Sequence, residues 1–275
     1  MVTILDGRKI GKVILEDLAK EIKSRDLDLR LAVVSVGQNL VSEKYQQQKK
    51  TACEKIGVGF KRYGFPGKIE QAELEREIQN IGADKTVSGI IIQLPLSKHL
   101  STNRILNLIP SAKDPDCLTF ANFGRFCQGD YRVLPPVVGA VRQIFARQKI
   151  KVAGKNAVVV GAGRLVGLPV SVWLTREGAT VTICNKSTKN QSDFTKKADI
   201  IISGVGQPNL IKGSIIKKGA TVIDCGTSSE GGKTVGDVEF SSVIKKAGFL
   251  TPVPGGIGPL TIACLLENLV KLNKQ

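Results

Sequence analysis

A glycine-rich loop between a strand-like and a helix-like segment constrains the fold more than any other feature of this 275-residue chain. Residues 157–160 read Ala-Val-Val-Val, which is typical of a buried parallel strand. The loop Gly161-Ala162-Gly163-Arg164-Leu165-Val166-Gly167 follows, and a helical pattern opens near Pro169. Such a loop presents backbone N–H groups and the positive end of a helix dipole to a pyrophosphate. The pattern favours a dinucleotide-binding unit, although plain strand-to-helix turns also use such glycines.

Strand-like and helix-like segments alternate along nearly the whole chain, which predicts an α/β fold with parallel strands. The spacing predicts helices over residues 10–22, 42–56, 71–80, 102–108, 136–148 and 259–272. Strands are predicted at 31–36, 58–63, 89–93, 156–160, 179–184, 199–203 and 221–225. Residues 110–135 have no clear period, so we predict a long irregular connection there. The chain is therefore expected to form two α/β units, the second beginning near residue 136.

Composition is ordinary for a globular protein, with 42% apolar and 23% charged residues. Without an apolar run of 18 residues or a charged leader, we expect a cytoplasmic protein with no membrane contact. The six cysteines form no C-x-x-C pair, which predicts reduced thiols and no metal site. The single histidine and the lack of a G-x-S-x-G motif argue against a Ser-His-Asp hydrolase.

The net charge of +16 is high and admits two interpretations. One is nucleic-acid binding, and the other is a basic surface suited to anionic small ligands. The lysines are spread through every segment, and only 5% of residues are aromatic and available for base stacking. We therefore expect a small-molecule substrate and no nucleic acid.

Tyr45 and Lys49 lie four positions apart in a predicted helix, so they share one face with Ala52 and Cys53. A lysine on an apolar face has a lowered pKa, which suits acid–base chemistry, but it can also extend from the edge of that face to solvent. Gln93 follows three isoleucines at the end of a predicted strand, where its amide either orients a reacting group or merely ends the strand.

Two irregular segments could line a binding site. Asp114 and Asp116 lie in the predicted connection, where a carboxylate can bind an N–H-rich heterocycle or simply form a turn. Residues 251–261 hold three glycines and three prolines among eleven residues and are either a rigid ligand wall or a linker.

The segment after the second predicted strand of the dinucleotide unit reads Cys184-Asn185-Lys186-Ser187-Thr188-Lys189. NAD-binding proteins usually have a carboxylate here, whereas lysines and hydroxyls favour a 2′-phosphate and hence NADP, with NAD possible. The same residues could also form a solvated turn. Cofactor binding is assigned to Gly161, Ala162, Gly163, Arg164, Lys186 and Thr227.

These motifs, in this order, resemble the bifunctional methylenetetrahydrofolate dehydrogenase/cyclohydrolase family, nearly from end to end. Residues 45–49 are similar to its Y-x-x-x-K, residues 89–96 to G-I-x-V-Q-L-P-L, and residues 113–116 to K-D-V-D. Residues 251–261 are similar to T-P-V-P-G-G-V-G-P-M-T, the most specific of the matches.

The resemblance implies oxidation of 5,10-methylenetetrahydrofolate with NADP and hydrolysis of the methenyl product to 10-formyltetrahydrofolate. It implies that Lys49 is the catalytic lysine, that Gln93 tunes it and that Tyr45 stacks on the folate. It also implies that Asp116 binds the pterin edge and that Val253, Pro254 and Gly255 wall the folate site.

For the architecture, the resemblance implies a homodimer whose last helix returns to the first domain. We therefore predict a folate-binding catalytic domain of residues 1–135 plus about 259–275, and a Rossmann-like domain of residues 136–258. Departures from the family pattern cluster in the connection between the domains, at residues 117–119 and 134–139, and around the cofactor, at residues 161–163 and 184–186. Two alternatives follow: a cyclohydrolase with impaired dehydrogenase activity, and a folate- or nucleotide-binding protein without turnover.

Overall fold

The computed structural model describes residues 1–37 and 40–274, and of residues 40–42 and 44 it describes only the backbone. The chain forms two compact units. The glycine-loop unit consists of Met1–Gly11 and Val137–Thr261, and the Lys49 unit consists of Lys12–Pro136 and Ile262–Gln275. Among the described residues, no helix is long and apolar enough to cross a membrane.

The strands, numbered in chain order, are β1 (Thr3–Ile4), β2 (Arg30–Val36), β3 (Gly59–Phe65), β4 (Gly89–Ile92), β5 (Asn156–Val160), β6 (Thr180–Cys184), β7 (Ile200–Ser203), β8 (Thr221–Asp224), β9 (Ser228–Glu230), β10 (Lys233–Val235) and β11 (Phe249–Leu250). The helices are α1 (Gly7–Ser24), α2 (Leu40–Lys55), α3 (Gln71–Ala83), α4 (Thr102–Leu106), α5 (Phe120–Gln128), α6 (Pro136–Arg147), α7 (Gly167–Arg176), α8 (Gln191–Thr195), α9 (Phe240–Val243) and α10 (Ile257–Leu272). Short 3-10 helices cover Ser111–Lys113 and Gly213–Ile215.

The sheet of the Lys49 unit has the order β3-β2-β4, and its strands are parallel. The central strand β2 is buried from Leu31 to Ser35, because helices cover both faces of a parallel sheet and leave no solvent-facing side. At its carboxyl end, Val34 pairs with Tyr63 on one side and with Ile92 on the other. Gln93 therefore lies directly after the last buried residue of β4.

Most predicted elements of this unit are confirmed, but the irregular connection predicted at residues 110–135 is wrong in part. It contains α5, whose first turn is capped by Thr119, since Asn122 N donates to Thr119 Oγ1 over 3.2 Å. Gly129 ends the helix in the left-handed conformation, with φ of 83°.

The last helix returns to the first part of the chain, as expected. Asn268 of α10 donates to Pro115 O at 2.8 Å and to Leu134 O at 2.7 Å. Asn273 donates to Ser88 O at 3.1 Å, just before β4. These bonds satisfy carbonyls of irregular segments that would otherwise be buried without a donor.

The main sheet of the glycine-loop unit has the order β1-β11-β8-β7-β5-β6, and its neighbouring strands are parallel. β6 lies on one side of β5, and β7, the next strand in the chain, lies on the other side of β5. In open α/β sheets, ligands bind at such a reversal, outside the carboxyl ends of the strands. The predicted Rossmann-like topology is confirmed, and its reversal lies between β5 and β7.

The N-terminus differs from the predicted boundaries, which placed residues 1–11 with the first domain. The short strand β1 instead pairs with β11, with Ile4 opposite Leu250. Gly7 packs so closely on the chain that a Cβ there would lie 1.9 Å from Gly256 O. A strand of two residues has no periodicity from which this pairing could be predicted.

Candidate functional site

The helix α2 carries the predicted catalytic pair one turn apart. Lys49 is only 5% exposed, and its amine lies 4.9 Å from the centroid of the Tyr45 ring. The amine also donates to Oε1 of Gln93 over 3.3 Å. A buried ammonium is costly unless it is partnered, and here the amide oxygen and the ring face are its partners. The alternative of a lysine that reaches solvent from the edge of the face is wrong.

The electrostatics of this cluster depart from those of ordinary surface groups. Burial lowers the pKa of the Lys49 amine, and the charge of Asp116 opposes that shift. Burial raises the pKa of Asp116 to about 6, against the effect of the Lys49 charge. Burial, followed by the Asp116 charge, raises the pKa of Tyr45 well above its usual range. A lowered pKa favours the neutral amine, which can accept a proton and pass it on to a substrate.

Asp114 and Asp116 have different surroundings, although only one residue separates them. The buried carboxylate of Asp114 accepts bonds from Leu118 N at 3.1 Å, from Thr119 N at 2.9 Å and from the side chain of Asn122. It therefore folds the loop that continues into α5. Asp116 is the carboxylate that couples to Lys49 and Tyr45.

Sequence reasoning missed the contribution of α10 to this cluster. Cys264 is 2% exposed and lies close enough to Tyr45 to raise the pKa of its phenol. Asn268, one turn further along, holds the carbonyl of Pro115 next to Asp116. No motif spacing signals these contacts, because α10 lies at the other end of the chain.

Gln93 also lines a small pocket together with Leu94 and Pro95. Ser35 at the end of β2, Arg62 of β3 and Glu43 of α2 contribute to its walls. The pocket therefore lies at the carboxyl ends of the strands in this unit. Among the described residues, no cluster of His, Cys, Asp or Glu could hold a metal ion.

The glycine loop of the other unit fits a dinucleotide. Gly161 has φ of 102°, and Gly167 packs so tightly that a Cβ there would lie 1.8 Å from Gly161 O. A Cβ at Gly163 would meet no atom within 4 Å, so the loop has an open side on which a phosphate can approach the backbone. In the first turn of α7, Leu168 N donates to Gly163 O over 3.0 Å and Pro169 has no N–H, and the N-cap residue Val166 has no side-chain oxygen to bond Gly167 N.

The other predicted cofactor residues lie around the carboxyl ends of the same sheet. Gly161 N donates to Cys184 O over 2.8 Å, so the turn that carries Lys186 begins beside the glycine loop. Lys186 is exposed, and the turn is closed by a bond of 2.9 Å from Thr188 N to Asn185 O. Thr227 is exposed beyond the end of β8. Ala162 and Arg164 lie within the glycine loop itself.

The predicted folate wall belongs to the glycine-loop unit. The bond from Val253 to Pro254 is cis, and Gly255 has φ of 111°, which only glycine adopts readily. Gly255 O accepts a bond from Arg8 N over 3.2 Å, which ties the segment to the start of α1. The segment is therefore a fixed part of the fold, and the linker interpretation is wrong.

One unit thus pairs a buried lysine with an amide and a carboxylate, and the other has the switch-point glycine loop of a dinucleotide-dependent enzyme. The chain belongs to the tetrahydrofolate dehydrogenase/cyclohydrolase family. The catalytic domain of that family matches residues 5–116, and its NAD(P)-binding domain matches residues 135–275.

Relatives match over nearly their whole length. The bifunctional protein FolD of Nitratiruptor is 44% identical over 99% of this chain and 98% of its own. The bifunctional enzyme FolD of Campylobacter jejuni, a methylenetetrahydrofolate dehydrogenase/cyclohydrolase, is 39% identical, with a TM-score of 0.93 and coverage of 99% and 98%. The Trypanosoma brucei enzyme, solved with NADP and an inhibitor, is 32% identical, with a TM-score of 0.94 and coverage of 98% and 97%.

Proposed function

We propose that this chain oxidises 5,10-methylenetetrahydrofolate to the 5,10-methenyl form with NADP and then hydrolyses that form to 10-formyltetrahydrofolate. Family membership over both domains supports the pair of activities. The observation that carries the proposal is the buried Lys49 amine, 3.3 Å from Gln93 Oε1 and coupled to Asp116. The reactions belong to one-carbon metabolism and supply purine biosynthesis.

In the hydrolysis, neutral Lys49 takes a proton from water as the water oxygen bonds to the methenyl carbon. The proton then passes to N5 of the folate as the bond between N5 and that carbon breaks. The remaining hydroxyl proton leaves to solvent, and the formyl group stays on N10. Gln93 accepts a hydrogen bond from the amine and so fixes the direction in which its lone pair points. The lowered pKa of Lys49 favours this neutral form.

The remaining folate-side residues bind the substrate. The ring of Tyr45 stacks on the folate, and the Asp116 carboxylate accepts hydrogen bonds from the pterin edge. The segment Val253-Pro254-Gly255 supplies a wall of fixed backbone. These roles are supported by the coupling of Tyr45 and Asp116 to Lys49 and by the conformation of Gly255.

In the oxidation, bound NADP supplies the acceptor for the hydride that leaves the methylene carbon. This chain contributes binding and orientation, since loss of hydride yields the methenyl cation without a proton transfer. Gly161, Ala162 and Gly163 receive the pyrophosphate with Arg164 beside them, and Thr227 adds a hydroxyl at the end of β8. Lys186 binds the 2′-phosphate, which favours NADP over NAD.

One assay separates this function from its alternatives. Purified protein receives 5,10-methylenetetrahydrofolate with NADP or with NAD, and in a separate cuvette 5,10-methenyltetrahydrofolate, while absorbance is followed. We expect reduction of NADP and methenyl hydrolysis faster than in buffer. Hydrolysis without reduction of either nucleotide would identify a cyclohydrolase alone, and neither reaction would identify a binding protein without turnover.

We also propose that the chain works as a cytoplasmic homodimer. The family resemblance supports the dimer, which light scattering on the purified protein tests directly. The six cysteines form no disulfide in the described part of the chain, which suits a reducing compartment.

A further inference from the structure

Two loops follow strands β7 and β8 at the ligand end of the glycine-loop sheet. The first, residues 204–207, lies against the glycine loop, because a Cβ at Gly161 would lie 3.0 Å from Gly204 O. A Cβ at Gly204 would in turn meet the side chain of Val166. The second loop, residues 225–228, is tied to the first by a bond of 2.6 Å from Ser228 Oγ to Gly206 O.

A single buried carboxylate holds the first loop. Asp237 is 0% exposed and accepts bonds from Ser203 Oγ and Val205 N at 2.7 Å each, and from Gln207 N at 2.8 Å. Backbone N–H groups at both ends of the loop therefore point at the same side chain. A carboxylate can accept all three bonds because its two oxygens have four lone-pair sites and no proton.

A second buried carboxylate extends this arrangement to the second loop. Asp224 is 2% exposed and accepts from Gly226 N at 2.9 Å, from Asp237 N at 3.1 Å and from Val238 N at 2.9 Å. The fit is tight, since a Cβ at Gly226 would lie 2.1 Å from Asp237 Oδ1. Asp224 thus fixes the backbone of Asp237, and Asp237 fixes the loop beside the glycine loop.

Two anions buried side by side carry a cost in free energy. Burial raises the pKa of Asp224 to about 6, and the neighbouring charge of Asp237 adds to that effect. Among the described residues neither carboxylate forms an ion pair with a lysine or arginine, and their partners are backbone N–H groups and one serine. Such a costly arrangement is retained where it fixes backbone that must be pre-organised for a ligand.

We propose that Asp237, held in place by Asp224, is a positioning residue for cofactor binding in the dehydrogenase reaction. It keeps residues 204–207 in the one conformation that leaves the switch point between β5 and β7 open to the dinucleotide. The inference rests on the proposed function, because it assigns NADP to this site. Asp237 acts through the loop and makes no contact with the reacting atoms.

The substitution Asp237→Asn tests this directly. Whichever way the amide turns, its NH₂ group faces a backbone N–H or the Ser203 hydroxyl, so the loop loses a fixed bond. We expect the Kd for NADP, measured by calorimetry, and the KM for NADP to rise about tenfold or more. The kcat of the dehydrogenase at saturating NADP should change much less, and methenyl hydrolysis, which needs no NADP, should not change.

Asp199 provides a matched control at the opposite end of β7. Its carboxylate also accepts a backbone bond, from Asn156 N at 3.1 Å, and it pairs with Lys217 at 2.6 Å. Asp199→Asn should lower Tm while leaving the Kd for NADP unchanged. If Asp237→Asn fails to fold, Ser203→Ala removes one of the three donors with little change in volume and should raise the Kd in the same direction, by less.

The outcomes separate the inference from the proposed function. An unchanged Kd in Asp237→Asn, or an equal rise in Asp199→Asn, would overturn the positioning role. Should Asp237→Asn not fold, an unchanged Kd in Ser203→Ala would overturn it as well. Wild-type protein that binds NADP but reduces none would overturn the dehydrogenase function, and the Kd comparison would still decide the role of Asp237. Wild-type protein that binds no NADP would overturn both.

Discussion

The amine of Lys49 donates a hydrogen bond to Oε1 of Gln93 over 3.3 Å, although the two residues lie 44 positions apart in the chain. One comes from the buried face of a helix and the other from the end of a buried strand. Because both elements belong to the core of one unit, the separation of the two side chains is fixed by packing. The site is therefore pre-organised for proton transfer before any folate binds.

Gln93 should tune Lys49 through that single bond. Gln93→Met keeps the length of the side chain but removes the acceptor, so we expect the rate of methenyl hydrolysis to fall about tenfold. The pH at which the rate rises should also move, because the amine loses a partner. Stopped-flow absorbance across a pH series measures both effects. Gln48→Met, on the exposed face of α2, is the control, and an equal loss there would contradict the assignment.

We expect folate binding to weaken at acidic pH because of Asp116. Its carboxyl has a pKa of about 6 in the folded protein, raised from 3.8, so it is ionised above that pH and protonated below it. Since the ionised form accepts hydrogen bonds from the pterin, the KM for methenyltetrahydrofolate should rise as pH falls through about 6. Asp116→Asn should raise the KM at pH 7 and abolish the further rise of the KM at acidic pH. If the KM of the variant still rises at acidic pH, another group causes the pH dependence.

A substitution at Gly163 should weaken cofactor binding without affecting folding. A Cβ at this position meets nothing within 4 Å, so Gly163→Ala should fold with nearly unchanged Tm. The new methyl group would occupy the open side of the loop and should raise the KM for NADP about tenfold. Gly124→Ala adds an equally unhindered methyl to α5 in the other unit and should affect neither activity. An unchanged KM in Gly163→Ala would place the pyrophosphate elsewhere.

Lys186 should discriminate between the two nicotinamide cofactors. Removing its charge in Lys186→Ala should raise the KM for NADP about tenfold and leave the KM for NAD unchanged, because only NADP has the 2′-phosphate. Steady-state kinetics with both nucleotides measure the ratio. Lys197→Ala, at the amino end of β7, should alter neither value. Equal changes for NADP and NAD would show that Lys186 does not contact this phosphate.

The alternation of strands and helices was predictable because buried parallel strands such as β5 and β7 are continuous apolar runs. The sequence indicated Lys49 and Gln93 as site residues because each lies next to an apolar pattern, which predicts that its side chain faces the interior. Their contact was not predictable, since it depends on how α2 packs on the sheet. The resemblance supplied that pairing, and the distance of 3.3 Å supports it.

The roles of Asp224 and Asp237 and the helix α5 could not be predicted from the local sequence. Asp224 and Asp237 look like ordinary loop carboxylates, because their partners are backbone groups whose positions only the folded chain defines. The helix α5 contains Gly124 in its middle, which lowers its intrinsic helix propensity, and the Thr119 cap and surrounding packing stabilise it.

The most direct test of the account is the rate of methenyltetrahydrofolate hydrolysis by Lys49→Met beside Lys50→Met. Methionine fills the buried position of Lys49 without a titratable group, whereas Lys50 is exposed and pairs with Glu54. We predict a loss of about a hundredfold or more in Lys49→Met, with the circular dichroism spectrum unchanged, and a rate close to wild type in Lys50→Met. Hydrolysis that persists in a folded Lys49→Met protein would contradict the central role of this lysine.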